Sequence, residues 1–480
     1  FYAEVSNSAA NSATANQRAL IIGQITAAGI APVNVPLISQ GAADAVTQGG
    51  IGSMLALMTA AYRNNDSFGE VWYLPLADDP AAIAATGKVT IANAPTATGT
   101  LYLYIAGQRV ALAVSATQTP AQISTALAAA INAIGSLPVT AVVNSTNTAE
   151  VDITAKNKGE NGNQIDLRLN YLGKPGGELL PTGLGITITA MTGGATNPDL
   201  TAALANLGSE PFDFIACPYT DTASINVIKT LLNDQTGRWS WDQKVYGHSF
   251  GAYQGTMSDQ TTFGTSRNNQ HETFMAVYDS PTPSWIVAAA LTGASAVSLR
   301  ADPGMPVHTV PLLGVLAPPI QSRFSLSERN TLLFDGMSTF TVAQDGTVAI
   351  EGLITTYQTN AFGQPDNSYL KVNTLFLLMY VLRALEGRIT STYARMKLAD
   401  DGTRFAPGSA IVTPNIVRAD LIAQYSELEY QGYVQNADAF KAELIVQRNG
   451  TDPNRLDVLY PGILINQLDV LALLFQFRLT

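Results

Sequence analysis

The feature that most constrains the fold is an interruption. From residue 18 to 86 the chain reads as strand, helix, strand: "RALIIGQI" (18–25), then Met54, Leu55, Met58 and Tyr62 at helical spacing, then "VWYLPL" (71–76). From residue 197 the same rhythm returns. "FDFIACPY", "QKVYGHS" and "ETFMAVYD" alternate with the helical patterns "TASINVIKTLLNDQ" and "SWIVAAALTGASAVSLR", with a weaker helix after "QKVYGHS". Residues 87–196 break it. They are rich in Thr, Val, Asn and Gly, and "KVTIA", "TLYLYIAG", "RVALAVS", "VTAVVNS", "AEVDITAK", "QIDLRLNY" and "GITITAM" read as strands. One helix lies among them, over 119–134, with Thr119 placed as N-cap and Pro120 at its first position. The pattern predicts a discontinuous α/β core domain, built from 18–86 and 197–330, carrying an inserted mostly-β domain at 87–196. The chain as a whole is then α+β.

The remainder divides in three. Residues 1–17 are small and polar after an extended tip at "FYAEV", which predicts an N-terminal linker arm. The chain starts at Phe1 rather than Met, inside an extended segment, so residues upstream are expected. Residues 331–465 read as a C-terminal α+β core domain. Asp345-Gly346 between two apolar runs predicts a hairpin. Two long helices follow, one over about 368–397, the other starting at Thr413-Pro414 and stopping at Gly432, and then a strand over 440–449. In residues 466–480, Leu473, Phe475, Phe477 and Leu479 alternate with Leu474, Gln476 and Arg478. That period of two gives one apolar face to a terminal strand. It serves either as an edge of its own domain or as a ribbon lent to another chain.

Bulk properties remove several functions. A chain of 480 residues suggests two to four domains. Only 13% of residues are charged, roughly half the usual share of about 25%, which favours burial of much of the surface in subunit contacts. The net charge of −11 and the absence of a basic stripe argue against direct nucleic-acid binding. The apolar runs at 374–382 and 470–475 fall short of the ~20 residues that cross a bilayer, so no membrane insertion is expected. Cys217 stands alone, and His248, His271 and His308 show no metal-ligand spacing. No metal or cofactor is expected.

Three motifs suggest chemistry. Gly247-His248-Ser249-Phe250-Gly251 spells the G-x-S-x-G elbow of serine hydrolases, with His308 downstream and Asp279 and Asp302 between. Its setting is poor: the preceding strand is short, Gly255 falls where a helix should start, and no oxyanion loop is evident. A hydrolase using Ser249 is the alternative reading. Gly50-x-Gly52 opens a helix, as a phosphate loop would, but Leu55 occupies the third glycine position. Asp452, Arg455 and Asp457 share a Pro/Gly-bounded loop, read as a salt-bridged turn. A third reading makes 87–196 a glycan-binding module. No catalytic set emerges, and the chain reads as a non-enzyme.

From residue 306 a succession of phrases carries a family resemblance. "PLLGVLAPP" (311–319) precedes "ERNTLLFDGMSTF", "DGTVAIEGLITTYQTNAFGQPDNSYLKVNT", "IVTPNIVRADLIAQY" and "LEYQGYVQNADAFKAELIVQRNGTDPNRLDVLYPGILINQLDVLALLFQFRL". Together with "FYAEVSNSAA" and "QRALIIGQ", this resembles the tail sheath proteins of contractile-tailed, Mu-like bacteriophages. The resemblance implies a homo-oligomer of stacked hexameric rings or a helical array around a tail tube protein, with baseplate and tail terminator proteins as further partners. It implies a virion component, assembled in the host cytoplasm, that contracts to drive the tube through the host envelope. It implies β-strand exchange between subunits, carried here by Phe1, Tyr2, Val5, Leu473, Phe475, Phe477 and Leu479. The 331–465 domain would then lie near the tube, with Arg383, Arg388, Arg395 and Lys397 as possible tube-facing residues, and 87–196 would decorate the outside.

Overall fold

A computed structural model describes residues 17–478. Phe1, Tyr2, Val5 and Leu479 lie outside the described residues. The chain divides into two compact units, one comprising 17–297 and 307–371, the other 298–306 and the residues from 372 onward.

The first unit begins with strand β1 (Ala19–Gln24), all six residues of which are buried. A strand covered on both faces has no polar side to show, so its apolar run does not alternate. After β2 (Leu37–Ile38) and helix α1 (Ala42–Gly49) comes α2 (Met54–Asn65). Ser53 caps α2 by accepting a hydrogen bond from the Ala56 N–H, and Met54, Leu55, Met58 and Tyr62 turn inward. Gly23 lets this helix lie against β1, since a Cβ there would come within 2.8 Å of the Leu55 Cα. β3 (Val71–Leu76) then pairs in parallel with β1.

The insertion contributes β4 (Thr86–Asn93), β5 (Gly99–Ile105), β6 (Gln108–Val114), α3 (Pro120–Ala133), β7 (Val139–Val143), β8 (Glu150–Ala155), β9 (Leu167–Leu169) and β10 (Gly185–Thr192). Every strand pairing here is antiparallel, in a four-stranded sheet ordered β10-β4-β8-β7 and a three-stranded sheet ordered β6-β5-β9. In β8, buried Val151, Ile153 and Ala155 alternate with half-exposed residues, the mark of a sheet with one wet face. α3 starts with the predicted Thr119 cap, completed by Gln122 into a reciprocal capping box. It buries Ile123, Leu127 and Ile131 in one apolar core with both sheets.

The chain then returns. After α4 (Thr201–Ala205), strand β11 (Phe214–Ala216) and α5 (Thr222–Leu231) come β12 (His248–Gln254), α6 (Met257–Thr265), β13 (Glu272–Val277) and α7 (Ser284–Ala301). The complete sheet is ordered β13-β12-β11-β1-β3-β2, parallel throughout except for β2. The predicted interrupted α/β core is therefore present. α7 is apolar and long enough to cross a bilayer, but 78% of it is buried within the protein, as in a core helix.

Two expectations need correction in this unit, and one helix has no counterpart in the sequence reading. The strand predicted at "QKVYGHS" starts only at His248, because Lys244 and Tyr246 adopt left-handed backbone at φ 52° and 61°. The helix α8 (Leu326–Phe334), capped by Ser325 and Glu328, was not foreseen. The hairpin β14 (Thr339–Val342) and β15 (Val348–Gly352), turned at Asp345-Gly346 as predicted, belongs with the α/β sheet rather than with a 331–465 domain. Its entry is held to the sheet by backbone bonds from the Ala276 N–H to the Ser338 carbonyl and from the Ser338 N–H to the Phe274 carbonyl, each 2.9 Å.

A buried ion pair locks the same region. Arg267 donates through Nε and one terminal nitrogen to the two carboxylate oxygens of Glu272, each at 2.8 Å. Thr356 Oγ1 (2.8 Å) and Asn269 Nδ2 (3.1 Å) also donate to Glu272, and Arg267 reaches Asn226 Oδ1 at 3.1 Å. Both members of the pair are buried.

The second unit contains α9 (Val372–Tyr393), β16 (Lys397–Leu398), β17 (Ile411–Val412), α10 (Pro414–Tyr430), β18 (Val434–Gln435), α11 (Ala437–Glu443), β19 (Ile445–Arg448), β20 (Leu456–Leu459) and β21 (Ile463–Leu464). α9 stops at Tyr393, short of the predicted 397, and Lys397 instead pairs with Ile411 in a short parallel ladder. The strand predicted at 440–449 is helix over its first half; the chain enters α11 at Asn436, whose backbone is left-handed, and becomes strand only at Ile445. Val417, Leu421, Tyr425, Leu428, Phe440 and Leu444 form the core. The rings of Tyr425 and Phe440 stack at 3.8 Å, and Tyr425 Oη donates to the Gln435 carbonyl at 2.7 Å.

Candidate functional site

The G-x-S-x-G sequence does not build an elbow. A nucleophile elbow holds its serine on a strained turn at the carboxyl end of a strand. Ser249 is instead the second residue of β12, buried, and in ladder register between Ile215 and Glu272. Its N–H donates to the His271 carbonyl at 2.9 Å. His248 Nε2 bonds Thr273 Oγ1 at 2.8 Å, and His271 Nε2 meets Asp234 at 2.6 Å. Burial, and then the proximity of His271, hold the His248 pKa well below the usual range. His308 Nδ1 is engaged with the Glu351 carbonyl. Asp279 binds Arg168 and Ser322. Burial pushes the Cys217 thiol up to about 12, so it stays protonated and a poor nucleophile. Ser249→Ala is expected to leave assembly, measured by sedimentation, unchanged.

Open parallel sheets bind ligands at the carboxyl ends of their strands, where the strand order reverses. In this sheet the reversal lies between β1 and β11. The crevice there is filled from within by residues 156–160 of the insertion. Gln24, at the end of β1, donates to Asp78 Oδ1 and to the Lys158 carbonyl, both at 2.7 Å. Asn157 Nδ2 donates to the Ile25 carbonyl at 2.9 Å, and the Lys158 N–H donates to Asp78 Oδ2 at 3.1 Å. Asn197 joins Asp221 at 2.8 Å and the Glu160 N–H at 2.9 Å.

The same loop answers the Gly50-x-Gly52 motif. The first N–H of α2, which a phosphate would take, donates to Asn157 Oδ1 at 2.9 Å. Gly52 has φ 74°, and a Cβ there would sit 2.4 Å from the Leu137 carbonyl and 2.5 Å from Lys156 Nζ. Lys156 donates to the Gly135 carbonyl (2.7 Å) and the Ile51 carbonyl (3.2 Å), and burial lowers its pKa. Gly52 thus brings the insertion close to the core, while Gly50, where a Cβ would sit 2.1 Å from Thr26 Oγ1, lets the loop after β1 approach the helix start.

A different surface is incomplete. β19 and β20 pair antiparallel, Ile445 with Leu459 and Arg448 with Leu456, and no third strand joins them among the described residues. Their inner side chains Val446 and Leu456 pack on the α10 core, while Ile445 and Leu459 are exposed. The turn between them contains Asp452 and Arg455, and Asp457 follows in β20, opposite Gln447. Arg455 Nε donates to Asp457 Oδ1, and Asn449 Nδ2 to Asp457 Oδ2, each at 2.6 Å, so the cluster closes a hairpin. Asn449, and then Arg455, hold the Asp457 carboxyl below its usual range.

Beyond β21 the described chain carries no strand, which departs from the terminal strand expected over 470–480. Leu473, Phe475 and Phe477 are 71–82% exposed. The rings of Phe475 and Phe477 lie 6.4 Å apart at 21°, so alternate side chains already share a face. Of the four cations singled out in the sequence, Arg383 is half-buried and Arg388, Arg395 and Lys397 are exposed. Arg388 forms an ion pair with Asp420, which also accepts from Tyr393 Oη at 2.8 Å. Burial would raise the Asp420 pKa, but Arg388 and Tyr393 hold it below the usual range.

Comparison with known proteins adds independent findings. Residues 193–356 match the phage tail sheath protein central domain family, and residues 364–478 match the phage tail sheath C-terminal domain. The Mu-like prophage FluMu tail sheath protein of Haemophilus influenzae is 39% identical over 480 residues, spanning 100% of this chain and 96% of the relative. Among solved structures, a sheath tail protein from Desulfitobacterium hafniense is 13% identical with TM-score 0.47, covering 97% of this chain and 99% of that one. A sheath tail protein from Listeria innocua is 14% identical with TM-score 0.48, covering 94% and 93%.

Proposed function

The chain belongs to the phage tail sheath family, of the kind carried by Mu-like phages, and from that premise we propose how its surfaces serve assembly and contraction. It is a structural component of a phage tail. Copies polymerise, as stacked hexameric rings or a helical array, around a tail tube protein, with baseplate and tail terminator proteins at the ends. Assembly takes place in the host cytoplasm, before contraction drives the tube through the host envelope.

The observation that carries this reading is the exposed terminal ribbon. Leu473, Phe475 and Phe477 offer an apolar face to solvent, and β19–β20 offers ladder edges without a partner among the described residues. A strand added to another chain's sheet gains main-chain hydrogen bonds along its length and sets alternate side chains into pockets. Residues 466–480 of one copy therefore dock on the β19–β20 hairpin of another, and residues 1–17 act as a second arm. Residues 87–196 form the outer domain, on a core made of 18–86, 197–297 and 307–371, with the C-terminal domain toward the tube. Arg395 and Lys397, both exposed, are the cations assigned to the tube contact; Arg388 already holds Asp420.

Contraction in this scheme draws on two packings of one lattice, separated by stored interface energy. It needs no substrate, and catalysis has no part in it. The buried, ladder-bound Ser249 and the filled strand-end crevice support that view over the hydrolase. Negative-stain microscopy of the purified chain is the direct test. Hollow striated cylinders are expected; discrete monodisperse particles would overturn the proposal.

A further inference from the structure

One tryptophan stands out from the surface on a rigid mount. Trp241 is 82% exposed. The segment on either side of it is fixed in detail. Buried Arg238 donates to the carbonyls of Gly208 (3.1 Å), Tyr246 (3.2 Å) and Glu210. Trp239 Nε1 donates to the Gly247 carbonyl at 2.8 Å, and its ring stacks on His271 at 4.6 Å. Asp234 is held by His271 (2.6 Å) and by Gln270 (2.5 Å), and Ser240 Oγ donates to Asp242 at 2.6 Å. With the residues on either side already fixed, burying the indole orders one side chain rather than a loop, and tryptophan is enriched at interface hot spots.

The same unit carries a socket. A cleft of about 190 Å³ opens between the end of β13 and the strand β14, lined by Ala276, Tyr278, Arg323, Phe324 and Thr341 among others. Tyr278 and Phe324 stack at 6.0 Å, and Arg323 is anchored through Nε to the Pro318 carbonyl at 3.0 Å. An indole entering there meets two aromatic rings and a guanidinium, the partner that favours its π face.

Knob and socket lie at opposite ends of one strand. Trp239 rests on His271, just before β13, and Tyr278 follows its last residue. The seven steps from His271 to Tyr278 span about 23 Å, which sets the two apart within one chain. A patch that fits a pocket elsewhere on the same molecule makes a head-to-tail contact, which closes into rings or propagates as a helix. We propose that Trp241 of one copy inserts into the Tyr278–Phe324–Arg323 cleft of a second copy. This contact is separate from the terminal ribbon and rests on the polymerisation reading above.

A photoreactive benzoyl-phenylalanine in place of Trp241, in full-length chains mixed from light and heavy isotope cultures, tests it. Light–heavy cross-links to peptides within 276–278 or 318–342 are expected. Cross-links confined to other peptides, or none while polymers form, would overturn the contact alone. Failure of the unsubstituted chain to polymerise would instead remove the reading on which it rests. Trp241→Ala, and Thr341→Trp to fill the cleft, should each raise the concentration needed for polymerisation about tenfold or more with unchanged circular dichroism. Unchanged values for both variants would contradict the proposal.

Discussion

Deleting residues 470–480 is expected to abolish polymerisation at concentrations where the intact chain forms cylinders. Leu473, Phe475 and Phe477 are almost wholly exposed in the single chain, and burying them contributes about 1.5–3 kcal/mol each. Main-chain hydrogen bonds along an added strand contribute about 0.5–1.5 kcal/mol apiece after water is displaced. Against this stands the entropy of association, about 4–15 kcal/mol. One ribbon alone is therefore a weak link. In a lattice each copy both lends and receives, and further contacts form at high effective concentration. Removing the ribbon takes away several kcal/mol per copy, which raises the critical concentration about a thousandfold or more. Phe475→Ser with Phe477→Ser should fall between. Sedimentation reads the polymer, and circular dichroism should be unchanged, since residues 470–478 belong to no helix or strand among the described residues.

The second large effect concerns folding. Glu272→Gln should destabilise the first unit by about 3–5 kcal/mol. The substitution leaves the Arg267 guanidinium buried without its counter-charge and turns an amide N–H₂ toward a donor. Because Glu272 also accepts from Asn269 and Thr356, the loss reaches the segment that follows the β14–β15 hairpin. Replacing both members, as Arg267→Met with Glu272→Met, should recover much of the loss, because the cost lies in the orphaned charge. Urea unfolding followed by tryptophan fluorescence reports on the right unit, since Trp72, Trp239, Trp241 and Trp285 all belong to it. A single variant as stable as the parent would show that water reaches the pair.

Much of the architecture was legible because it is written in local periods. Runs such as "ALIIGQ" and "ETFMAV", buried on every residue, announced a covered parallel sheet. The alternation in "EVDITA" announced an inserted sheet with one wet face. Thr119-Pro120 and Asp345-Gly346 marked a helix start and a hairpin through chemistry that acts over three or four residues. The failures fell where distant contacts decide. "QKVYG" carries the apolar spacing of a strand, yet the anchoring of Arg238 and Trp239 holds it in left-handed turns. The 440–449 stretch has strand-like residues, but Phe440 is drawn into a stack with Tyr425 and stays helical. The G-x-S-x-G motif misleads for the same reason, because only the sheet register reveals that its serine sits at the wrong end of the strand. The open hairpin that receives a ribbon in this scheme was hidden too, since an unpaired edge has no sequence signature of its own.

In the proposed assembly the terminal ribbon leaves its own chain. A three-dimensional reconstruction of the assembled polymer, with the backbone traced continuously from β21 to residue 480, tests it most directly. Residues 473–478 are expected as a strand hydrogen-bonded to the β19–β20 hairpin of a different copy. A ribbon paired with the hairpin of its own chain, or lying unpaired while the polymer stands, would contradict it.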